Sequence, residues 1–112
     1  MSPDDRWRLQ HMIEAAESAQ NFIAGRQRAD LNGDRMLVFA IVRAIEIVGE
    51  AASKISEETR SAHGAIPWKA IIGMRNRLVH AYFDIDASVV WATVTEELPA
   101  LLGQLQALVA GD

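Results

Sequence analysis

The chain contains no cysteine, so disulfides and thiolate metal sites are excluded from its chemistry. Proline is scarce, with three in 112 residues. Alanine, leucine, isoleucine, valine and glutamate dominate instead, a mixture that favours helix over sheet. No apolar run approaches the roughly 18–20 residues needed to cross a bilayer, so no membrane association is expected. The first ten residues carry two aspartates and lack an apolar stretch, unlike a secretory signal; the expected compartment is the cytoplasm. What is present suits a globular protein: half of the residues are hydrophobic and 23% are charged, and a disordered chain has neither balance. A single domain over residues 1–112 is expected, of a size that often buries part of its apolar surface in an oligomer.

One further absence is local. Between Arg60 and Phe83 there is no acidic residue, while Arg60, Lys69, Arg75 and Arg77 fall inside that stretch together with His63 and His80. The segment is therefore +4 with neutral histidines, in a chain whose net charge is −4, which leaves −8 for the remainder. The acidic total argues against a nucleic-acid binder, and the basic segment argues for one. Clustering of solvated side chains would give the same count.

Periodicity places the helices. Ser2, Pro3 and Asp5 form a Ser-x-x-Asp helix start. Leu9, Met12, Ile13, Ala16, Ala19 and Ile23 then recur at three- and four-residue spacing as one buried face, with Gly25 as a stop. Arg26 to Asp34 reads as a polar connection turning at Asn32-Gly33. A second helix, from about Asp34 to about Ile55, is apolar on most of its circumference, so it is expected to be central or shared with a partner. Ser56 to Ala65 reads as a loop or a single helical turn. Pro67 starts a third principal helix carrying Trp68, Ile71, Ile72, Leu78 and Val79. Asp84 or Asp86 caps a fourth, with Trp91, Val94, Leu98, Leu101, Leu105 and Leu108 as its stripe and a kink at Pro99. The expected fold is all-α, a small antiparallel bundle of four principal helices.

On an unbroken third helix, Trp68, Ile71, Ile72, Leu78, Val79 and Tyr82 all fall within about 60° of Arg75. A guanidinium on an apolar stripe cannot lose its proton to escape burial. It must find a carboxylate such as Glu46 or Glu50, a set of carbonyls, a subunit boundary or an anionic ligand. His80 lies about 140° round from Arg75 and about 7.5 Å along the axis. The two side chains of one chain would then converge only if the helix breaks near His80 or if a second subunit contributes. Trp68 and Trp91 read as core anchors.

The run from Arg75 to Tyr82 fits Arg-x(4)-His-x-Tyr and resembles the motif of HepT-type toxins, a branch of the HEPN ribonucleases. Arg43-Ala44-Ile45-Glu46-Ile47-Val48-Gly49-Glu50-Ala51-Ala52 resembles the central-helix signature of that family. Ile66-Pro67-Trp68, Gly73-Met74-Arg75-Asn76, Phe83-Asp84-Ile85-Asp86 and Leu98-Pro99 follow in the family's order and spacing. The resemblance covers most of the chain.

It implies a HEPN-like fold and a homodimer whose Arg75 and His80 line a shared cleft. It implies a metal-independent RNA endonuclease, so no cofactor is expected. His80, with a reference pKa of about 6.5, would exchange protons near neutral pH. Arg75 would brace the phosphate, and Asn76 would orient the substrate or the arginine. Products would carry 2′,3′-cyclic phosphate and 5′-hydroxyl ends. The implied setting is a type II toxin–antitoxin pair. Its partner would be a cognate MntA-type nucleotidyltransferase antitoxin that silences the toxin by AMPylation of Tyr82. Without that role, Tyr82 is a core or interface aromatic. Glu50 would pair with a basic group of the site or serve helix packing; Arg60, Lys69 and Arg77 would extend a phosphate-binding surface or remain solvated. The alternative function is a non-catalytic HEPN module that binds a nucleotidyltransferase or a nucleotide.

Overall fold

The computed structural model describes residues 1–81 and 84–112, with residues 80 and 81 described by their backbone alone. Helix α1 spans Pro3–Phe22. A 3-10 turn at Arg28–Asn32 leads into α2, Arg35–Ser53. The short helices α3 (Glu57–Ala62), α4 (Trp68–Ile72) and α5 (Met74–Leu78) follow. Strands β1 (Val79–Ala81) and β2 (Asp84–Ile85) pair antiparallel. Helix α6 (Ala87–Ala92) then passes through one wide turn, Thr93–Glu97, into α7 (Leu98–Ala110). The fold is all-α in substance, as the composition predicts.

The long helices run antiparallel in sequence. Asp5 near the start of α1 reaches Ser56 just beyond the end of α2, and Arg6 pairs with Asp112 just beyond the end of α7. Between them lies the core. Leu9, Met12, Ala16 and Ala19 of α1 meet Ile41, Ile45, Val48 and Ala52 of α2, and Val94, Leu98, Leu101 and Leu105 close the layer. Full burial of one such leucine or isoleucine is worth about 1.5–3 kcal/mol. Most residues of the stripes read from the sequence are buried, with Ile23, Val79 and Trp91 partly so and Ile72 exposed, and α2 is not covered all round: Met36 is 84% and Phe39 49% exposed.

The start of α1 departs from a reciprocal capping box. The Ser2 hydroxyl accepts the Asp5 N–H as predicted, but the Asp5 carboxylate turns away and caps another element. It is 2% exposed and accepts from the Ser56 N–H at 3.0 Å, the Ser56 hydroxyl at 2.6 Å and the Thr59 hydroxyl at 2.7 Å. Burial pushes this carboxyl's pKa up, but the Ser56 and Thr59 hydrogen bonds, aided by Arg8, outweigh it and hold the group below its ordinary value.

The expected third helix is broken twice. Gly73 separates α4 from α5, and at Val79 the backbone turns extended, with φ −119° and ψ 110°. Val79 is β-branched and suits a strand better than a helix. The fourth helix is also interrupted, and earlier than Pro99. Proline offers no N–H and its ring would strike the carbonyl four residues back. The preceding turn widens, so that the Leu98 N–H bonds the Thr93 carbonyl. The Thr93 and Thr95 hydroxyls donate to the Val89 and Trp91 carbonyls, each at 2.7 Å.

Candidate active site

The site is built where α2 passes the α4–α5 junction. Gly49 makes the approach possible. A Cβ there would lie 3.3 Å from both the Ile71 and the Ile72 carbonyl oxygens, which are backbone atoms with no freedom to swing aside. With hydrogen in place of a methyl, α2 packs directly on the end of α4. One turn before Gly49 stands Glu46, and three residues beyond Ile72 stands Arg75. The close contact brings together the two backbone segments that carry these charged side chains.

They form an ion pair, with Arg75 Nε 3.5 Å from Glu46 Oε2. The arginine is 49% exposed and the glutamate 27%. Arg75 is therefore not the buried cation that the unbroken-helix wheel suggests, because α5 is one and a half turns long and presents it at the rim. Of the outcomes open to it, the carboxylate of Glu46 is realised. Glu50 is engaged elsewhere, 3.5 Å from Arg43, with both side chains largely exposed. Glu46, Gly49, Glu50, Ser53, Ile72, Arg75 and Asn76 together line a shallow groove of about 190 Å³. Asn76 follows Arg75 on α5 and is exposed, so it faces the same groove with its amide available.

His80 lies on β1, beyond the helix break. The 140° separation expected on a continuous helix does not apply, because that helix ends at Leu78. Its side chain, and Tyr82 as a whole, lie outside the described residues. The β1–β2 pairing and the Asp86 N–H to Leu78 carbonyl bond of 2.8 Å return the chain to α6, whose first amides are capped by Asp86.

The acid-free segment is not an acid-free surface. Arg60 pairs with Glu57 at 3.4 Å and Arg77 with Glu97 at 3.1 Å. The second Glu97 oxygen lies 3.1 Å from the Thr93 hydroxyl, whose proton is directed more closely at the Val89 carbonyl, and the Arg77–Glu97 pair ties α5 to the wide turn before α7. In sequence these arginines are open to phosphate binding or to solvation; their partners lie outside the segment and are invisible to a count of its charges. Larger hollows exist, one of about 520 Å³ between residues 62–66 and α7, but none of the predicted site residues lines it. Among the described residues no three His, Asp or Glu side chains gather around a shared cation position, and no helix is long and apolar enough to cross a membrane.

The family model described as "Ribonuclease HepT-like" matches residues 12–108, a span that holds α2, the groove and both strands. The chain belongs to the HepT-like ribonuclease family. It is 38% identical over 100 residues to the protein named "Probable ribonuclease HepT" of Thermococcus cleftensis, covering 89% of this chain and 91% of that one. An RNase-named protein of Caldanaerobacter subterraneus subsp. tengcongensis is 36% identical over 98 residues, covering 88% of each. A Methanocaldococcus jannaschii protein whose name joins a gamma-glutamylcyclotransferase to an RNase is 32% identical over 101 residues. These are 90% of this chain and 46% of that protein. No solved structure matches the chain significantly. Endoribonuclease is the activity that this family membership supports.

Proposed function

We propose that the chain, as a single domain, is a metal-independent RNA endonuclease that acts as a homodimer, with Arg75 and His80 as its catalytic pair. The observation that carries the reading is the half-exposed Arg75, held at a groove between α2 and α5 five residues before His80, inside the stretch that matches the ribonuclease family. A guanidinium so placed can meet two phosphate oxygens at once. The exposed side of α2, with Met36 and Phe39, offers apolar surface for a second copy. A shared cleft between two copies would bring two arginines and two histidines to one phosphodiester.

The reaction needs no further component. A ribose 2′-hydroxyl, losing its proton to a histidine acting as base, attacks the adjacent phosphorus. The P–O5′ bond breaks, and the leaving oxygen takes a proton from a histidine acting as acid. The ends are a 2′,3′-cyclic phosphate and a 5′-hydroxyl. Arg75 stabilises the charge gathering on the non-bridging oxygens, and Asn76 orients the substrate or the guanidinium. In the cell the chain is the toxin of a type II toxin–antitoxin pair. A nucleotidyltransferase antitoxin would attach AMP to Tyr82, placing a bulky anion where RNA phosphate must bind.

Induced expression tests the reading. Wild-type chain should arrest growth, and His80→Ala should not. Co-expression of a cognate MntA-type nucleotidyltransferase should relieve the arrest and add AMP mass to the peptide containing Tyr82. Absence of arrest and of RNA cleavage with soluble, unmodified wild type would favour the non-catalytic binding module instead.

A further inference from the structure

The Arg75–Glu46 pair has a directional feature. The carboxylate approaches Nε, the inner nitrogen of the guanidinium, at 3.5 Å. The contact is an ion pair: among the described residues neither the Nε–H nor the two outer nitrogens make a hydrogen bond, and Glu46 is the anion nearest to the guanidinium. Guanidinium is a flat fork, and its outer edge is the one that matches two oxygens of a phosphate. The second carboxylate of the groove, Glu50, is committed to Arg43 and does not compete. Glu46 is the less exposed member of its pair, and Gly49, one turn further along α2, lets that helix pack on the end of α4.

We infer that Glu46 is a positioning residue: its negative charge holds Arg75 by Nε, so that the outer edge faces the groove before RNA arrives. This rests on the ribonuclease reading above and assigns it a further residue. A free arginine samples many rotamers and would have to be ordered as the phosphate gains charge. Anchoring through Nε removes that ordering from the reaction step. The same carboxylate is a like charge to RNA, so it cannot assist ground-state binding. Removing it should therefore slow turnover without weakening association, the mark of a contact used in the transition state only.

The experiment compares wild type, Glu46→Gln and Glu46→Asp on one RNA oligonucleotide. It takes kcat and KM separately, with thermal melting of each protein and the NMR signal of the Arg75 Nε–H, assigned through Arg75→Lys. Glu46→Gln keeps size and loses charge. It should lower kcat roughly tenfold or more, leave KM unchanged or lower, and melt within a few degrees of wild type. Glu46→Asp should recover part of the rate. The Nε–H signal, distinct in wild type, should merge with those of solvated arginines in Glu46→Gln. Wild-type kcat in Glu46→Gln would overturn the inference. So would a raised kcat/KM, which would mean that Glu46 masks Arg75, or a rate loss that only follows the loss of folded protein. Failure of wild type itself to cut RNA would sink the ribonuclease reading instead. The NMR comparison would still decide whether the carboxylate fixes the guanidinium.

Discussion

Replacing Gly49 by alanine puts one methyl group where α2 meets the end of α4, and the structure sets two opposing effects. Alanine in a helix interior is favoured over glycine by about 0.5–1 kcal/mol. The new Cβ would lie 3.3 Å from two backbone carbonyl oxygens, so α2 and α4 must separate by a few tenths of an ångström; overpacking of this kind costs about 1–3 kcal/mol. The net destabilisation should be at most about 2.5 kcal/mol, or a melting temperature lowered by roughly 10 °C or less for a domain of this size. The same separation lengthens the 3.5 Å contact between Glu46 and Arg75. Since a 1 Å misplacement can cost about a hundredfold in rate, a shift of a few tenths should lower kcat roughly three- to tenfold. The assay is RNA cleavage at a temperature where melting curves show both proteins fully folded. A melting temperature lowered as expected with unchanged kcat would refute the claim that this close approach sets the arginine.

Other outcomes follow from the same geometry. Asp5 has a folded pKa below its unfolded value of about 3.9, so it contributes stability that is present above that pH and lost as pH falls through the folded pKa. Asp5→Asn should destabilise by about 2–4 kcal/mol at pH 7, and its gap to wild type in urea unfolding should narrow below about pH 4; parallel curves would contradict this. Arg77→Ala breaks an exposed tie to Glu97 and should cost less than about 1 kcal/mol while leaving kcat within about twofold, as judged by melting and cleavage. Tyr82→Phe should keep ribonuclease activity and lose protection by the nucleotidyltransferase, seen as growth arrest that co-expression no longer relieves.

The parts of the fold legible in the sequence are those set by local rules. The buried stripes of α1, α2 and α7 are periodic, and the caps Ser2 and Asp86 accept amides of the helices they start; the cap at Ser56 and the short helix after it read in sequence only as a loop or a single turn. The wheel drawn for the third helix failed because apolar spacing is blind to a backbone break. Val79 continues the stripe in sequence, yet its backbone is extended. Arg75 was legible as a residue needing an anion, and Glu46 as a candidate, because both are charges set among apolar neighbours. Their pairing spans 29 positions, and that of Arg77 with Glu97 spans 20. Such partners are settled by packing, which local periodicity does not encode. Gly49 carried a signal in retrospect, a lone glycine inside a strongly apolar helix, whose usual physical reason is close approach of another backbone. Nothing local announced that Asp5 would leave its own helix for Ser56 and Thr59.

The central claim is that this chain cuts RNA by proton transfer through His80 with Arg75 on the phosphate. The most direct test is cleavage of a 5′-labelled RNA by purified, unmodified protein in excess chelator, with the new 3′ ends identified and His80→Ala run beside it. The account predicts 2′,3′-cyclic phosphate ends from the wild type and none from the variant. Intact RNA with folded wild-type dimer, or equal cleavage by His80→Ala, would contradict it.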